Sequence, residues 1–437
     1  MIRHPNRKMI QHPHQRRSKV DKFIVFGGNR LEGEVEVNGA KNAVLPLMCA
    51  ALLTRGETII DNVPNLRDVR TMCQLLESMG ASTHFENRTV HIDTSALEKF
   101  EADYELVRKM RASVLVLGPL LARYNKAKVS LPGGCAIGAR PIDLHLRGLE
   151  ALGANIDLKG GYIEATCEQL TGASYRFDYP TVGGTENLIM AAALCKGRTI
   201  LENAAREPEI VDLANFINAM GGNISGAGSD LIVIEGVEEL KPTRYSVMSD
   251  RIEAGTFIAA GIITKGEVLV KNCPVDGMKA VLERFRATGA QLTIQGNDVL
   301  VKMEGPIQPI DIRTQPHPGF PTDMQAQMMA LMSVADGRSA ISETVFENRF
   351  MHVSELRRMG ADIICEGSMA VIRGKERLEG APVMATDLRA SACLVLAGLV
   401  SRGVTEIRRI YHLDRGYERI EEKLQPLGAK IQRVAES

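Results

Sequence analysis

The residues best suited to chemistry fall in two clusters. The first is the loop Leu131-Pro-Gly-Gly-Cys135-Ala-Ile-Gly-Ala-Arg140-Pro-Ile-Asp143-Leu-His145. Gly133, Gly134 and Gly138 widen its backbone options, and Cys135 is at its centre. Arg140, His145 and Arg147 follow closely, and a nearby cation lowers a thiol pKa and favours the nucleophilic thiolate. A free cysteine is more often a small buried apolar residue. That is the reading for the other seven, at 49, 73, 167, 195, 273, 365 and 393. For Cys135 the Gly-rich, Arg-flanked setting argues for reactivity. The second cluster is C-terminal: Asp323 in FPTDMQAQ, Arg349 in ENRF, Asp387 and Arg389 in TDLRAS, and Arg415 in HLDRGYER. Several arginines with one or two carboxylates suit a substrate bearing phosphate and carboxylate, because a guanidinium binds either in bidentate fashion. One such arginine alone would read as a surface ion pair of little worth.

These residues sit on a repeating frame. A small residue, a glycine and a β-branched or apolar strand recur as RGETIIDN, NKAKVSLPG, KGRTILEN, KGEVLVKN, DGRSAISE and SRGVTEIRR. Taking Gly56, Lys126, Gly197, Gly266, Gly337 and Gly403 as markers, the spacings are 70, 71, 69, 71 and 66 residues. A period of that size repeated six times is the mark of a repeat architecture and fills almost the whole chain. After each marker strand comes a helix. Val69, Met72, Leu76 and Met79 share one helical face in the first copy, and Ile210, Leu213, Ile217 and Met220 in the third. Each helix ends at a glycine: Gly80, Gly153, Gly221, Gly289, Gly360 and Gly428. A strand, a turn and a second strand follow. The sixth copy stops after one strand, Lys430 to Val434, and Phe23 to Phe26 supplies the missing one, so the termini meet in one domain. An Ala-rich helix closes each unit and begins at Lys41, Arg111, Val182-Gly183, Arg251, Thr322-Asp323 and Leu388-Arg389. Such helices belong in the interior. Their N-termini, converging, present free N–H groups and the positive dipole end to anions.

Composition narrows the function. Of 437 residues, 45% are hydrophobic and 24% charged, as in an ordinary globular protein. Aromatics are 4% and Trp is absent, too few for a base-stacking surface. Residues 1–20 carry six Lys/Arg and no carboxylate, leaving 47 basic against 53 acidic residues elsewhere, which is no duplex-binding face. This basic segment lacks an apolar core of the secretory type and reads as a disordered extension. No apolar run spans a bilayer, no cysteine pair has CxxC spacing, and the reading is a cytoplasmic protein. HExxH, EF-hand, Walker, GxSxG and GxGxxG patterns are all missing.

The motifs NGAKNA, MRAS, LPGGCAIGARPIDLH, FPTDMQAQ, ENRFMH, ATDLRAS and DRGYERIE together resemble the EPSP synthase family, and within it the enolpyruvyl transferases acting on UDP-N-acetylglucosamine, over residues 21 to 434. The resemblance implies an inside-out α/β barrel of two similar domains, each of three repeat units. One domain spans about 41–249, and the other joins about 21–40 to 250–437. It implies transfer of the enolpyruvyl group of phosphoenolpyruvate to the sugar 3-hydroxyl, with phosphate released, at the first committed step of peptidoglycan synthesis. By motif it assigns Lys41, Asn42, Arg140 and Arg415 to the phosphoenolpyruvate phosphate and Arg389 to its carboxylate. Arg111, Arg140, Pro141, Ile142, Asp143, Leu144, Asp323 and Val345 line the UDP-sugar site. Thr181, Val182 and Gly183 match the uridine side, where Tyr179 stands in place of a Lys found in some members. Asp323 is the implied base. Cys135 is either the acid at C3 or acts in product release. Lys41 stabilises charge. The resemblance calls for two small-molecule substrates and for no metal, organic cofactor, nucleic acid or membrane insertion. It also implies alkylation of Cys135 by fosfomycin-type epoxides. The sister activity on shikimate 3-phosphate shares the barrel, but the Cys135 loop and FPTDMQAQ argue against it.

Overall fold

The computed structural model describes residues 21–131 and 142–436. The segment 1–20 and the residues Cys135, Arg140 and Pro141 lie outside the described residues. The marker segments form the strands Glu57–Asp61, Lys126–Ser130, Arg198–Glu202, Glu267–Lys271, Arg338–Ser342 and Val404–Arg408. Burial alternates along them: Val268 and Val270 are buried while Glu267, Leu269 and Lys271 are only half-buried. That alternation is what a sheet with one face on the core requires. The helices Arg67–Ser78 and Pro208–Ala219 bury the apolar faces read from their periodicity, with Pro208 in the first turn. The six helix-ending glycines all have positive φ, from 88° at Gly360 to 103° at Gly80.

Among the described residues six sheets of four strands result. Three strands in each were legible; the fourth was not. It is a short strand running parallel to the marker strand, such as Ser174–Arg176 beside Arg198–Glu202, and in two sheets it is two residues long, Glu101–Ala102 and Ile312–Arg313. A pair of residues carries no periodicity to read. The terminal strand Asp21–Phe26 lies antiparallel between Val404–Arg408 and Lys430–Ala435, completing the sixth sheet from the other end of the chain.

The Ala-rich helices occupy the interior. Every residue of Arg251–Ile263 is buried, and Lys41–Ala50, Val182–Ala192 and Leu388–Val400 are buried along nearly their whole length. The sheets lie outside them, the inside-out order of an α/β barrel. Two apolar cores form among the described residues. One draws on residues 40 to 247, the other on 23 to 37 and 252 to 431.

Two strand exchanges tie the halves together. Glu32–Glu36 precedes the Lys41–Ala50 helix yet pairs with Glu267–Lys271, and Arg244–Ser246 precedes the Arg251–Ile263 helix yet pairs with Glu57–Asp61. The connecting segments run antiparallel, with Ala40 N–H donating to Met248 O at 2.7 Å and Asp250 N–H to Asn38 O at 2.8 Å. Gly39 is needed there, since a Cβ would fall 1.8 Å from Asn62 O. Gly39→Ala is therefore expected to lower stability by about 3 kcal/mol or more, as backbone must shift in two chain segments at once. Gly296→Ala, at an open hairpin turn with nothing within 4 Å, is expected to cost about 1 kcal/mol. Denaturant unfolding of both variants checks this, and equal losses would refute it.

Candidate active site

Lys41 is the first residue of its helix, and its Nζ lies 2.7 Å from Asp68 Oδ2. Asp68 sits in the first turn of Arg67–Ser78 and also receives Arg415 Nε at 2.9 Å and Nη2 at 3.2 Å. Lys41 and Asp68 belong to one core and Arg415 to the other, so this carboxylate spans the halves. Asn42 is exposed beside Lys41. Burial depresses the Lys41 pKa; Asp68 opposes this, while Arg415 and Arg389 add to it.

A second carboxylate holds a second pair. Asp323 Oδ1 is 2.8 Å from Arg349 Nη2, and its Oδ2 is 2.8 Å from Arg389 Nη2. Both arginine side chains are only 5% exposed. Asp387 caps the Leu388–Val400 helix through the N–H groups of Arg389 and Ala390, and Tyr417 Oη receives Arg389 Nη1 at 3.3 Å. Burial would raise the Asp323 pKa, but the Arg389 and Arg349 guanidiniums outweigh it and hold the carboxyl far below the usual range. Thr322 Oγ1 donates to Glu343 Oε2 at 2.8 Å, and Glu343 Oε1 accepts Val345 N–H at 2.8 Å. Glu343 thus fixes the loop carrying half-exposed Val345 against the turn carrying Asp323.

Several residues that the resemblance assigns to the UDP-sugar also lie near one another. His145, on the helix Asp143–Ala151, packs against Gly183, where a Cβ would stand 3.1 Å from its Cε1. Thr181 caps the Val182–Ala192 helix. Ile142 and Asp143 lie at the start of the His145 helix, and Leu144 is buried. Arg111 opens the turn Arg111–Val116, and its charge bears on His145. Tyr179 is exposed.

One sequence inference needs correcting. His145 does not supply a cation toward the Cys135 loop: burial, then the Arg111 charge, push its pKa down to about 4. Asn187 Nδ2 donates to its Nδ1 at 3.1 Å, which leaves the proton of the neutral ring on Nε2. Arg147 is engaged by Asp143 and Asp178, each at 2.9 Å. Burial raises the thiol pKa of all seven described cysteines, to about 12 at Cys195 and Cys273. Sequence reasoning missed Asp68, Glu343 and Asn187. An Asp early in a helix reads as a capping charge, and Glu343 and Asn187 matter only through contacts distant in sequence.

A family model described as EPSP synthase (3-phosphoshikimate 1-carboxyvinyltransferase) matches residues 25–424. The chain is 58% identical over 417 residues to a UDP-N-acetylglucosamine 1-carboxyvinyltransferase of Geotalea uraniireducens, covering 95% of this chain and 100% of the relative. A protein of the same name from Desulfatibacillum aliphaticivorans is 57% identical over 415 residues, with the same two coverages. Among solved structures, an enolpyruvyl transferase of Streptomyces tendae superposes with a TM-score of 0.86 at 25% identity, over 96% of this chain and 100% of that one. An EPSP synthase of Acinetobacter baumannii shares the fold, with a TM-score of 0.72 at 19% identity, over 95% of this chain and 100% of that one. The match over residues 25–424 and the full-length relatives together show that this chain belongs to the EPSP synthase family, beside its UDP-N-acetylglucosamine 1-carboxyvinyltransferase members.

Proposed function

We propose that this protein transfers the enolpyruvyl group of phosphoenolpyruvate to the 3-hydroxyl of UDP-N-acetylglucosamine, releasing phosphate at the first committed step of peptidoglycan synthesis. The observation that carries the reading is the 58% identity to a relative of that name along the relative's whole length. The geometry supports it. Asp68 and Asp323 each occupy a pair of cations, as the phosphate and carboxylate of phosphoenolpyruvate would.

In this reading Lys41, Asn42, Arg140 and Arg415 take the phosphate and Arg389 the carboxylate. The sugar nucleotide lies along Arg111, Arg140 to Leu144, Thr181 to Gly183, Asp323 and Val345. The sugar 3-oxygen bonds to C2 and gives up its proton, while C3 gains one. The C2–O bond to phosphate then breaks and C3 loses a proton, leaving the enol ether. Positive charge builds at C2 and negative charge on the departing phosphate, where Lys41 and the arginines act. Asp323 clasped by two guanidiniums is too weak a base for the hydroxyl. Transfer of Arg389 to the substrate carboxylate removes one clasp, raises the Asp323 pKa and makes it a competent acceptor. Binding of phosphoenolpyruvate thereby arms the base. Cys135 is the acid at C3 or the group that expels product. We also infer two domains, 41–249 and 21–40 with 250–437, hinged at the paired crossings, because each side has its own core. Closure excludes water. No helix among the described residues is long and apolar enough to cross a membrane, and we assign the reaction to the cytoplasm.

The reading is tested by phosphate release from phosphoenolpyruvate that depends on UDP-N-acetylglucosamine; release driven by shikimate 3-phosphate instead would overturn it. Asp323→Asn is expected to lower turnover by roughly 10²-fold or more while sugar-nucleotide affinity changes by less than about tenfold. It is also expected to lower stability by about 3 kcal/mol, because Arg349 and Arg389 are left buried without a counterion. Calorimetry and stopped assays check both halves, and near-normal turnover removes Asp323 from the base role. A small phosphonate epoxide should alkylate Cys135 alone among eight thiols, faster with UDP-N-acetylglucosamine present, and Cys135→Asp should abolish labelling. Peptide mass mapping decides this, and labelling at another cysteine refutes it.

A further inference from the structure

Asp68 has a role that the reaction scheme above leaves unassigned. Its side chain is only 3% exposed, yet it holds two cations from different halves of the molecule. Lys41 Nζ approaches one oxygen at 2.7 Å, and Arg415 approaches both, Nε to Oδ1 at 2.9 Å and Nη2 to Oδ2 at 3.2 Å. We propose that Asp68 is a positioning residue: its carboxylate fixes the Lys41 ammonium and the Arg415 guanidinium, one from each half, side by side as a single anion-binding pair. The inference rests on the enolpyruvyl reading for what that anion is, the phosphate of phosphoenolpyruvate.

Two like charges do not come together in a buried place unaided. Between the Lys41 and Arg415 head groups the Coulomb term is repulsive, and low dielectric strengthens it. Asp68 supplies the compensating charge, and its place in the first turn of Arg67–Ser78 keeps it there at low entropic cost. The groups that bear on Lys41 come from every side. Asp68 lies on one helix, Arg415 beyond the Val404–Arg408 strand and Arg389 at the start of Leu388–Val400. Asp250, capping Arg251–Ile263, accepts the Lys41 backbone N–H at 3.4 Å, and the Arg415 charge also bears on His412. Of these, Asp68 is the carboxylate in contact with the ammonium. Burial and the two arginines all push the Lys41 pKa down, and Asp68 pushes it up. Without Asp68 the amine loses its proton at lower pH, and a neutral amine neither binds phosphate nor stabilises its departure.

The decisive substitution is Asp68→Asn, which keeps shape and removes charge. The Lys41 titration midpoint is read in the resting protein by competitive acetylation across alkaline pH with peptide mass spectrometry, which needs no turnover. It is expected to fall by about one pH unit relative to wild type. In the assay, KM for phosphoenolpyruvate should rise about tenfold, KM for the UDP-sugar should stay within about twofold, and the alkaline limb of kcat/KM should move to lower pH by the same unit. Asp68→Glu should restore the limb. Should Asp68→Asn not melt cooperatively, Arg415→Gln carries the test, since Lys41 then has Asp68 to itself and its midpoint should rise. A Lys41 midpoint unmoved in Asp68→Asn, or lowered in Arg415→Gln, overturns the proposal. Loss of sugar-dependent phosphate release from the wild-type enzyme would instead overturn the enolpyruvyl reading and leave the acetylation result to judge Asp68.

Discussion

Charge neutralisation around Lys41, Asp68 and Asp323 is the constraint on which the rest of the structure depends. The fold gathers the N-termini of buried helices, and those ends already carry positive dipole charge. Lys41, Arg389 and Arg415 add three full charges within electrostatic reach of one another. Without substrate such a gathering would repel itself apart. Asp68 and Asp323 prevent that, each bound by two cations. Arg251 and Glu209 make a third buried pair, at 2.9 Å, and again one partner comes from each core. A buried pair of this kind adds little net stability against an apolar equivalent, but breaking one is costly. Its value here is that it fixes where opposing halves meet.

That arrangement needs helices close enough for their ends to converge. The interior helices achieve it with small residues. A Cβ on Gly255 would fall 2.8 Å from Met324, one on Gly261 2.8 Å from Val301, and one on Gly118 2.4 Å from Asn187 O. Alanine and glycine are therefore demanded by distance between axes rather than by helix propensity, since glycine costs a helix about 1 kcal/mol. Uniform burial also explains why these segments show no polar stripe, unlike the outer helix Arg67–Ser78.

The fold was legible because it is local and repeated. Glycines after helices, hairpin turns at Asn87-Arg88 and Gly296-Asn297, and strand alternation act over a few residues and recur at a fixed period. Even the terminal strand could be assigned, because a repeat with a missing part points to where that part must be. What periodicity did not show were the short parallel strands and the pairing of Glu32–Glu36 and Arg244–Ser246 with strands far along the chain rather than with the unit that follows each of them. The first are too short to carry a period, and the second pair across more than a hundred residues. The site divided in the same way. Lys41, Arg111, Asp323 and Arg389 were marked by register at helix starts. Asp68, with its carboxylate set between Lys41 and a residue 347 positions away, had no signal of its own.

The same physics explains why a base can be built from a carboxylate so firmly held. A free Asp323 in this cation-rich place would be drawn to the nearest guanidinium, wherever that left it. Held by Arg349 on one oxygen and Arg389 on the other, it is oriented by two contacts of 2.8 Å. Arg349 lies on the ENRF segment tied down near Glu343, whereas Arg389 is the residue that, in the proposed scheme, the substrate carboxylate competes for. Loss of one contact raises proton affinity while the other preserves aim. A base with two permanent clasps would be too weak, and one with none would be misplaced. In the proposed scheme a clasp that phosphoenolpyruvate itself removes couples basicity to occupancy, so the site does not expose a strong base before that substrate is bound.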